Sequence, residues 1–269
     1  MMPTDLIVEV NGVNLCYNDS GKDGIPIIFI HPFPFNKSAW QDQFDFFKVT
    51  NRVIIYDLRG FGGSAMDNKQ IDIALLANDL IRLMDKLYID QAIVVGLSLG
   101  GYILLNAVEH YPERFKAIVL CDTQCLADST ENKKKRYESI REIQEKGMDN
   151  FAEAFVEKIL TEESFTTNKE LVEKTKEIIL SNSQIGIAGA LGAMAERRES
   201  CSGLKKLTLP SLILCGKEDV LTPVSLSEFL FTHLPAAKMH AIEKAGHLSN
   251  LEQPDEFNRH LDEFIKNLN

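Results

Sequence analysis

The chain has 269 residues, 45% of them hydrophobic, enough for one α/β domain with a full core. Its net charge of −10 argues against a nucleic-acid partner, because phosphates need a basic surface. It holds no apolar run of roughly eighteen residues, so no membrane span or membrane partner is expected.

The start, Met1-Met2-Pro3-Thr4-Asp5, shows no basic segment followed by an apolar one, and a cytoplasmic protein is expected. Leu6 to Val10 and Val13 to Tyr17 read as strands joined at Asn11-Gly12, a hairpin turn signal. Ile25 to Ile30 and Arg52 to Tyr56 are apolar runs of the kind that buried parallel strands carry. Apolar residues recur at helical spacing from Ile73 to Leu87, with Asp72 placed to cap that helix. Ala92 to Val95 and Ala117 to Cys121 read as the next two strands.

The pattern then changes. From about Ala127 to Arg198 no strand signal occurs. Four amphipathic helical segments are expected there, over Glu131 to Lys146, Asn150 to Leu160, Lys169 to Ser181 and Ile185 to Ala195. Strand and helix alternate again from Leu209, with strands over Ser211 to Cys215 and about Lys238 to Ile242. Such alternation predicts a mostly parallel sheet with right-handed crossovers, flanked by helices. The domain reading is therefore a core over 1–126, an all-helical cap over 127–198 and a second core segment over 199–269. The five cysteines have no ligand spacing, so no metal is expected. Cys121, Cys125, Cys201 and Cys215 are read as reduced and mostly buried thiols, and Cys16 is placed in an early strand.

Gly96-Leu97-Ser98-Leu99-Gly100 lies between an apolar strand and a helix. That context makes G-x-S-x-G a nucleophile elbow, in which a strained turn lifts the serine hydroxyl out of the backbone. The glycines are needed because strand and helix pass close together on either side. Ser98 is the candidate nucleophile. A hydroxyl needs a base within reach, and His247, on a loop past the last strand, is the candidate. His31 is the competing histidine. Asp219, just beyond Ser211 to Cys215, is the candidate acid, and Asp122, just beyond Ala117 to Cys121, is its rival. The Leu99 amide, following the nucleophile, is one expected oxyanion donor and the Phe33 amide the other. Trp40 and Met194, with Phe33 and Phe35, are candidates for an acyl pocket, core packing being the alternative. Asp57, Arg59, Gly60, Gly62 and Ser64 are read as a structural loop lock. Arg197 and Arg198 either meet a substrate carboxylate or form ion pairs.

Several motifs in order carry a family resemblance. They are His31-Pro32-Phe33-Pro34, Trp40, Asp57-Leu58-Arg59-Gly60-Phe61-Gly62-Gly63-Ser64, the elbow, Met194-Ala195-Glu196-Arg197, the Asp219 segment and Gly246-His247-Leu248-Ser249-Asn250-Leu251-Glu252-Gln253-Pro254. The chain resembles the α/β-hydrolase superfamily, in the small esterase and lactonase branch that includes the 3-oxoadipate enol-lactonases. The resemblance implies the α/β-hydrolase fold with a helical cap, and a cofactor-free hydrolysis of a small carboxylic ester or lactone through an acyl-enzyme. It implies that Ser98, Asp219 and His247 form the triad and that His31 shapes the oxyanion loop. One departure stands out: Pro32 occupies the usual glycine of His-Gly-x-Pro. The Phe33-Pro34 bond is a candidate cis peptide. Two other activities share these residues: a cofactor-free perhydrolase, and a non-enzymatic small-molecule receptor. Haloalkane dehalogenation is excluded, because it needs aspartate where Ser98 stands.

Overall fold

The computed structural model describes residues 5–67 and 69–268. In chain order the strands are β1 Leu6–Val10, β2 Val13–Asp19, β3 Ile27–Ile30, β4 Val53–Tyr56, β5 Ala92–Leu97, β6 Phe115–Cys121, β7 Ser211–Gly216 and β8 Ala237–Ile242. The helices are α1 Gln41–Phe47, α2 Ile73–Lys86, α3 Leu99–His110, α4 Thr130–Lys146, α5 Asp149–Ile159, α6 Glu162–Thr167, α7 Lys169–Leu180, α8 Gln184–Ala195, α9 Val224–His233, α10 Ser249–Glu252 and α11 Pro254–Lys266. The strands form one eight-stranded sheet in the order β1-β2-β4-β3-β5-β6-β7-β8. The hairpin β1–β2 is antiparallel, as is the β2–β4 pairing, and all later pairings are parallel.

The local reasons are those the sequence carries. Asn11 and Gly12 both have positive φ, +49° and +82°, as a two-residue hairpin turn of the primed type requires. Strands β3, β4, β5 and β7 are buried along their whole length, consistent with helices on both faces. The Asp72 side chain accepts the Leu75 amide at the start of α2, a cap that contributes about 1 kcal/mol. Helix α11 presents Phe257, Leu261, Phe264 and Ile265 to the core at helical spacing.

Between β6 and β7 the chain makes five helices, α4 to α8, and no strand among the described residues. The sequence reading expected four. The missed one, α6, is six residues long and ends in two threonines, too short to show a period. Thr161 starts it by accepting the Ser164 amide. No single helix among the described residues is long and apolar enough to cross a membrane.

Cys125 and Cys201 are joined in a disulfide, which corrects the reading of both as reduced thiols. They lie 76 residues apart, one just after β6 and the other at the start of the short 3-10 helix Cys201–Lys206 that precedes β7, with Cα atoms 5.0 Å apart. The Ser200 amide also donates to the Cys125 carbonyl, so the two chain crossings of the insertion are paired twice. Cys16, Cys121 and Cys215 are free and buried.

Candidate active site

The candidate residues gather where the central strands end. Ser98 follows β5, Asp122 follows β6, Asp219 lies three residues past β7 and His247 follows β8. Open α/β sheets place their sites at this carboxyl edge.

Ser98 sits at φ 53°, ψ −110°, a left-handed backbone that costs a non-glycine residue on the order of 1–3 kcal/mol. The surroundings hold it there. Its amide donates to the Cys121 carbonyl at 2.9 Å, and its carbonyl accepts the Thr123 hydroxyl at 2.8 Å. A Cβ on Gly96 would overlap the Gly100 carbonyl, and one on Gly100 would overlap the Ile30 carbonyl. The turn can be this tight because those side chains are missing. Leu99 begins α3, so its amide has no partner within the helix. Phe33 is the second residue of a turn closed by the Phe35 amide donating to the Pro32 carbonyl, with Phe33-Pro34 in cis. A turn with cis proline in its third position is type VI. The structure thus finds the cis bond where the sequence suggested it.

His247 is 2% exposed and Asp219 4%. His247 Nδ1 lies 2.8 Å from Asp219 Oδ2. The other Asp219 contacts are all donors: the Leu221 amide at 2.8 Å, the Thr222 amide at 2.9 Å and the Thr222 hydroxyl at 2.6 Å. Burial opposes ionisation of Asp219, but His247 and the Thr222 bonds outweigh it and hold the carboxyl down to about 2. Burial likewise opposes a charged His247, and the Asp219 carboxylate outweighs it, so its pKa is raised. With a proton on Nδ1 facing a carboxylate, Nε2 keeps its lone pair.

Asp122 is the other buried carboxyl. It has φ 43°, accepts the Gly216 amide at 2.7 Å and is bonded to the Ser249 hydroxyl at 2.5 Å. Burial pushes its pKa up to about 8, helped by the Asp219 charge. It ties β6 to β7 and to the segment after His247. The amide it bonds, that of Gly216, closes the neighbouring strand β7. His31 is fully buried, bonds the Pro32 carbonyl through Nδ1 at 2.9 Å and accepts the Leu58 amide at Nε2 at 3.0 Å. Burial lowers its pKa to about 4. Both ring nitrogens are used in shaping the loop that carries Phe33.

Trp40 is fully buried and packs against Phe29 and Phe257, with ring centroids 4.9 and 5.9 Å away. These contacts are those of the core-packing alternative given for it. Its apolar bulk fills the space between β3 and α11. Met194 is buried in the core cluster with its sulfur 3.4 Å from Arg136 Nη1. Arg197 is also buried. It bonds the Leu126 and Met194 carbonyls, pairs with Asp128 at 2.7 Å and lies over the Tyr102 ring at 4.3 Å. These contacts latch the insertion to α3. The loop lock is as read: Arg59 makes a two-pronged bond to Asp79, and Asp57 holds the Lys37 and Gly63 amides.

A cleft of about 480 Å³ opens beside Tyr102, Gln124 and Arg197, and Ser98, Asp219 and His247 do not line it. Among the described residues no group of three or more His, Cys, Asp or Glu is arranged to hold a metal ion. The sequence reading missed Thr222, which orients Asp219, and Glu252, which ties the His247 loop to the insertion. Glu252 stands in the quoted Gly246-to-Pro254 motif, but its partners lie far away in the chain.

Comparison with known proteins places the fold. The chain is 31% identical to 3-oxoadipate enol-lactonase 2 of Acinetobacter baylyi over 258 residues, covering 96% of this chain and 95% of that protein. A thermophilic esterase from Thermogutta terrifontis superposes with a TM-score of 0.94 at 30% identity, covering 98% of this chain and 99% of that one. The enol-lactonase of Burkholderia xenovorans LB400 superposes with a TM-score of 0.90 at 23% identity, covering 97% and 100%, and so shares the fold. Residues 25–254 match the family model described as the alpha/beta hydrolase fold. The chain belongs to the alpha/beta hydrolase fold family.

Proposed function

We propose that this protein is a serine hydrolase that cleaves a small carboxylic ester or lactone through an acyl-enzyme. The observation that carries the reading is the buried His247–Asp219 pair, 2.8 Å apart, set at the same sheet edge as the strained Ser98 turn. The 31% identity with an enol-lactonase and 30% identity with an esterase support it.

In this reading Ser98 Oγ attacks the substrate carbonyl while His247 Nε2 takes its proton. Asp219 holds the imidazole in the tautomer with Nδ1 protonated and stabilises the imidazolium. The Phe33 and Leu99 amides receive the oxyanion, and the positive end of α3 favours the same charge. His247 then returns the proton to the leaving alkoxide. The acyl-Ser98 ester is hydrolysed by the same steps, with water in place of the serine. No step calls for a metal or cofactor. Residues 127–198 act as a cap that excludes water and shapes the acyl side.

A fluorophosphonate probe should label Ser98, as read by peptide mass, and the unlabelled enzyme should turn over a generic p-nitrophenyl ester many times. Ser98→Ala should abolish both labelling and turnover while the protein stays folded. His247→Ala should cost a similar factor, on the order of 10⁴ or more, with little further loss in the double variant, because the residues act as a unit. Turnover near wild type in folded Ser98→Ala overturns the reading.

A further inference from the structure

The Glu252 carboxylate accepts four hydrogen bonds. One oxygen takes the Thr161 amide at 2.8 Å, the Thr161 hydroxyl at 2.8 Å and the Ser164 hydroxyl at 2.6 Å. The other takes the Gly246 amide at 2.6 Å. The first three donors are at the α5–α6 corner of the cap, and the fourth is the residue before His247. The His247 amide itself donates to the carbonyl of Ile159, the last residue of α5, at 2.9 Å. Two successive amides of the histidine loop are therefore held against one corner of the cap, one directly and one through Glu252. Gly246 permits the approach: a Cβ there would lie 2.9 Å from the Ile159 carbonyl oxygen.

The same helix also meets the loop that carries Phe33. Phe151 and Phe155 of α5 stack on each other and meet the Phe33 ring edge-on, with centroids 6.2 and 5.7 Å away. One cap helix thus touches both loops that the hydrolytic reading uses. Glu252 itself lies in α10, a helix of four residues whose own stability does not call for a carboxylate with four donors.

We propose that Glu252 is a positioning residue for His247, clamping the histidine loop to the α5–α6 corner so that the imidazole is set for catalysis only when the cap is docked. This rests on the reading of His247 as the general base. The logic is geometric. A loop that loses the Gly246 anchor and keeps only the His247–Ile159 bond lets the ring wander by fractions of an ångström, and proton transfer from Ser98 tolerates little of that. Removing Glu252 also leaves buried donors unpaired on both sides of the clamp. The acidic side chains that act on His247 are Asp219, Asp122 and Glu252, and the charge of Glu252 favours its protonated form.

The test compares Glu252→Ala with the cap-side pair Thr161→Ala/Ser164→Ala, neither of which alters a residue of the histidine loop. Each is assayed for kcat, KM, the pH profile and Tm on p-nitrophenyl acetate, a small ester that needs little of the cap wall. Glu252→Ala should lower kcat about 10–100-fold with KM changing about twofold at most. The acid limb of its kcat/KM profile should move to lower pH. The cap-side pair should lower kcat in the same direction by a smaller factor. A Glu252→Ala enzyme with lowered Tm but wild-type kcat and pH limb overturns the proposal, since a mere fastening would give that result. A cap-side pair with wild-type kcat also overturns it, and this second variant decides the matter if Glu252→Ala does not fold. Failure of the underlying reading shows separately, as full activity in His247→Ala measured in parallel.

Discussion

Asp122 and Asp219 stand just past the ends of neighbouring strands, both buried, and their carboxyls take opposite states. Asp219 has four donors around it, one of them an imidazole able to carry charge, and stays ionised with a pKa of about 2. Asp122 has one amide and one hydroxyl, faces the Asp219 charge, and is pushed up to about 8. Position at the sheet edge does not choose the acid. The number and kind of donors do, and two titratable groups driven apart in this way take different jobs. Asp219 suits the imidazole, and neutral Asp122 suits a cross-link between strands.

The comparison breaks first at the imidazole. Asp219→Asn should lower kcat/KM about 10³–10⁴-fold with a well-folded protein, because the amide favours the wrong histidine tautomer. Asp122→Asn should cost less than about tenfold. The carboxamide keeps an acceptor for the Gly216 amide and sets a neutral group against the Ser249 hydroxyl, which can accept as well as donate. Kinetics of the two variants side by side give the ranking, and the reverse order would make Asp122 the acid.

The smallest effect is in stability against pH. The folded pKa of Asp122, about 8, lies above its ordinary 3.8, so the folded state holds a proton that the unfolded chain has released. Its contribution to stability is full below pH 3.8 and is lost as the pH rises toward about 8. Asp219 has the opposite sign. Its contribution is present above pH 3.8 and is lost as the pH falls toward about 2. The raised pKa of His247 also loses stability with rising pH, but Asp122→Asn leaves that group in place. Asp122→Asn should therefore flatten the decline in Tm between pH 5 and 8 without altering its acid side. Parallel Tm curves for variant and wild type would show that Asp122 is already ionised in the folded protein.

Much of the frame was legible because the signals were local. Asn11-Gly12 needs two positive φ values in succession, Asp72 reaches only to Leu75, and the Ser98 turn carries its own glycines. The helices of the insertion announced themselves by period, except α6, which is too short to have one. What escaped depends on distance along the chain. Trp40 could be named as a pocket or core candidate from sequence, but its neighbours Phe29 and Phe257 come from β3 and α11, far apart in the chain. Glu252 meets Thr161 across 91 residues, and the two half-cystines meet across 76. Nothing in the neighbouring sequence marks such partners, because the fold alone brings them together.

The Cys125–Cys201 bond has a consequence for the molecule as a covalent object. All five helices of the insertion lie within one closed ring of chain, whose ends meet 5.0 Å apart between Cα atoms. A single protease cut inside that ring, for instance at the exposed Lys134-Lys135 pair of α4, opens it without releasing a fragment. The nicked protein should run as one species on a denaturing gel and as two after a thiol is added. Covalently, the insertion is a cassette that enters and leaves the core through one doorway, which the disulfide closes.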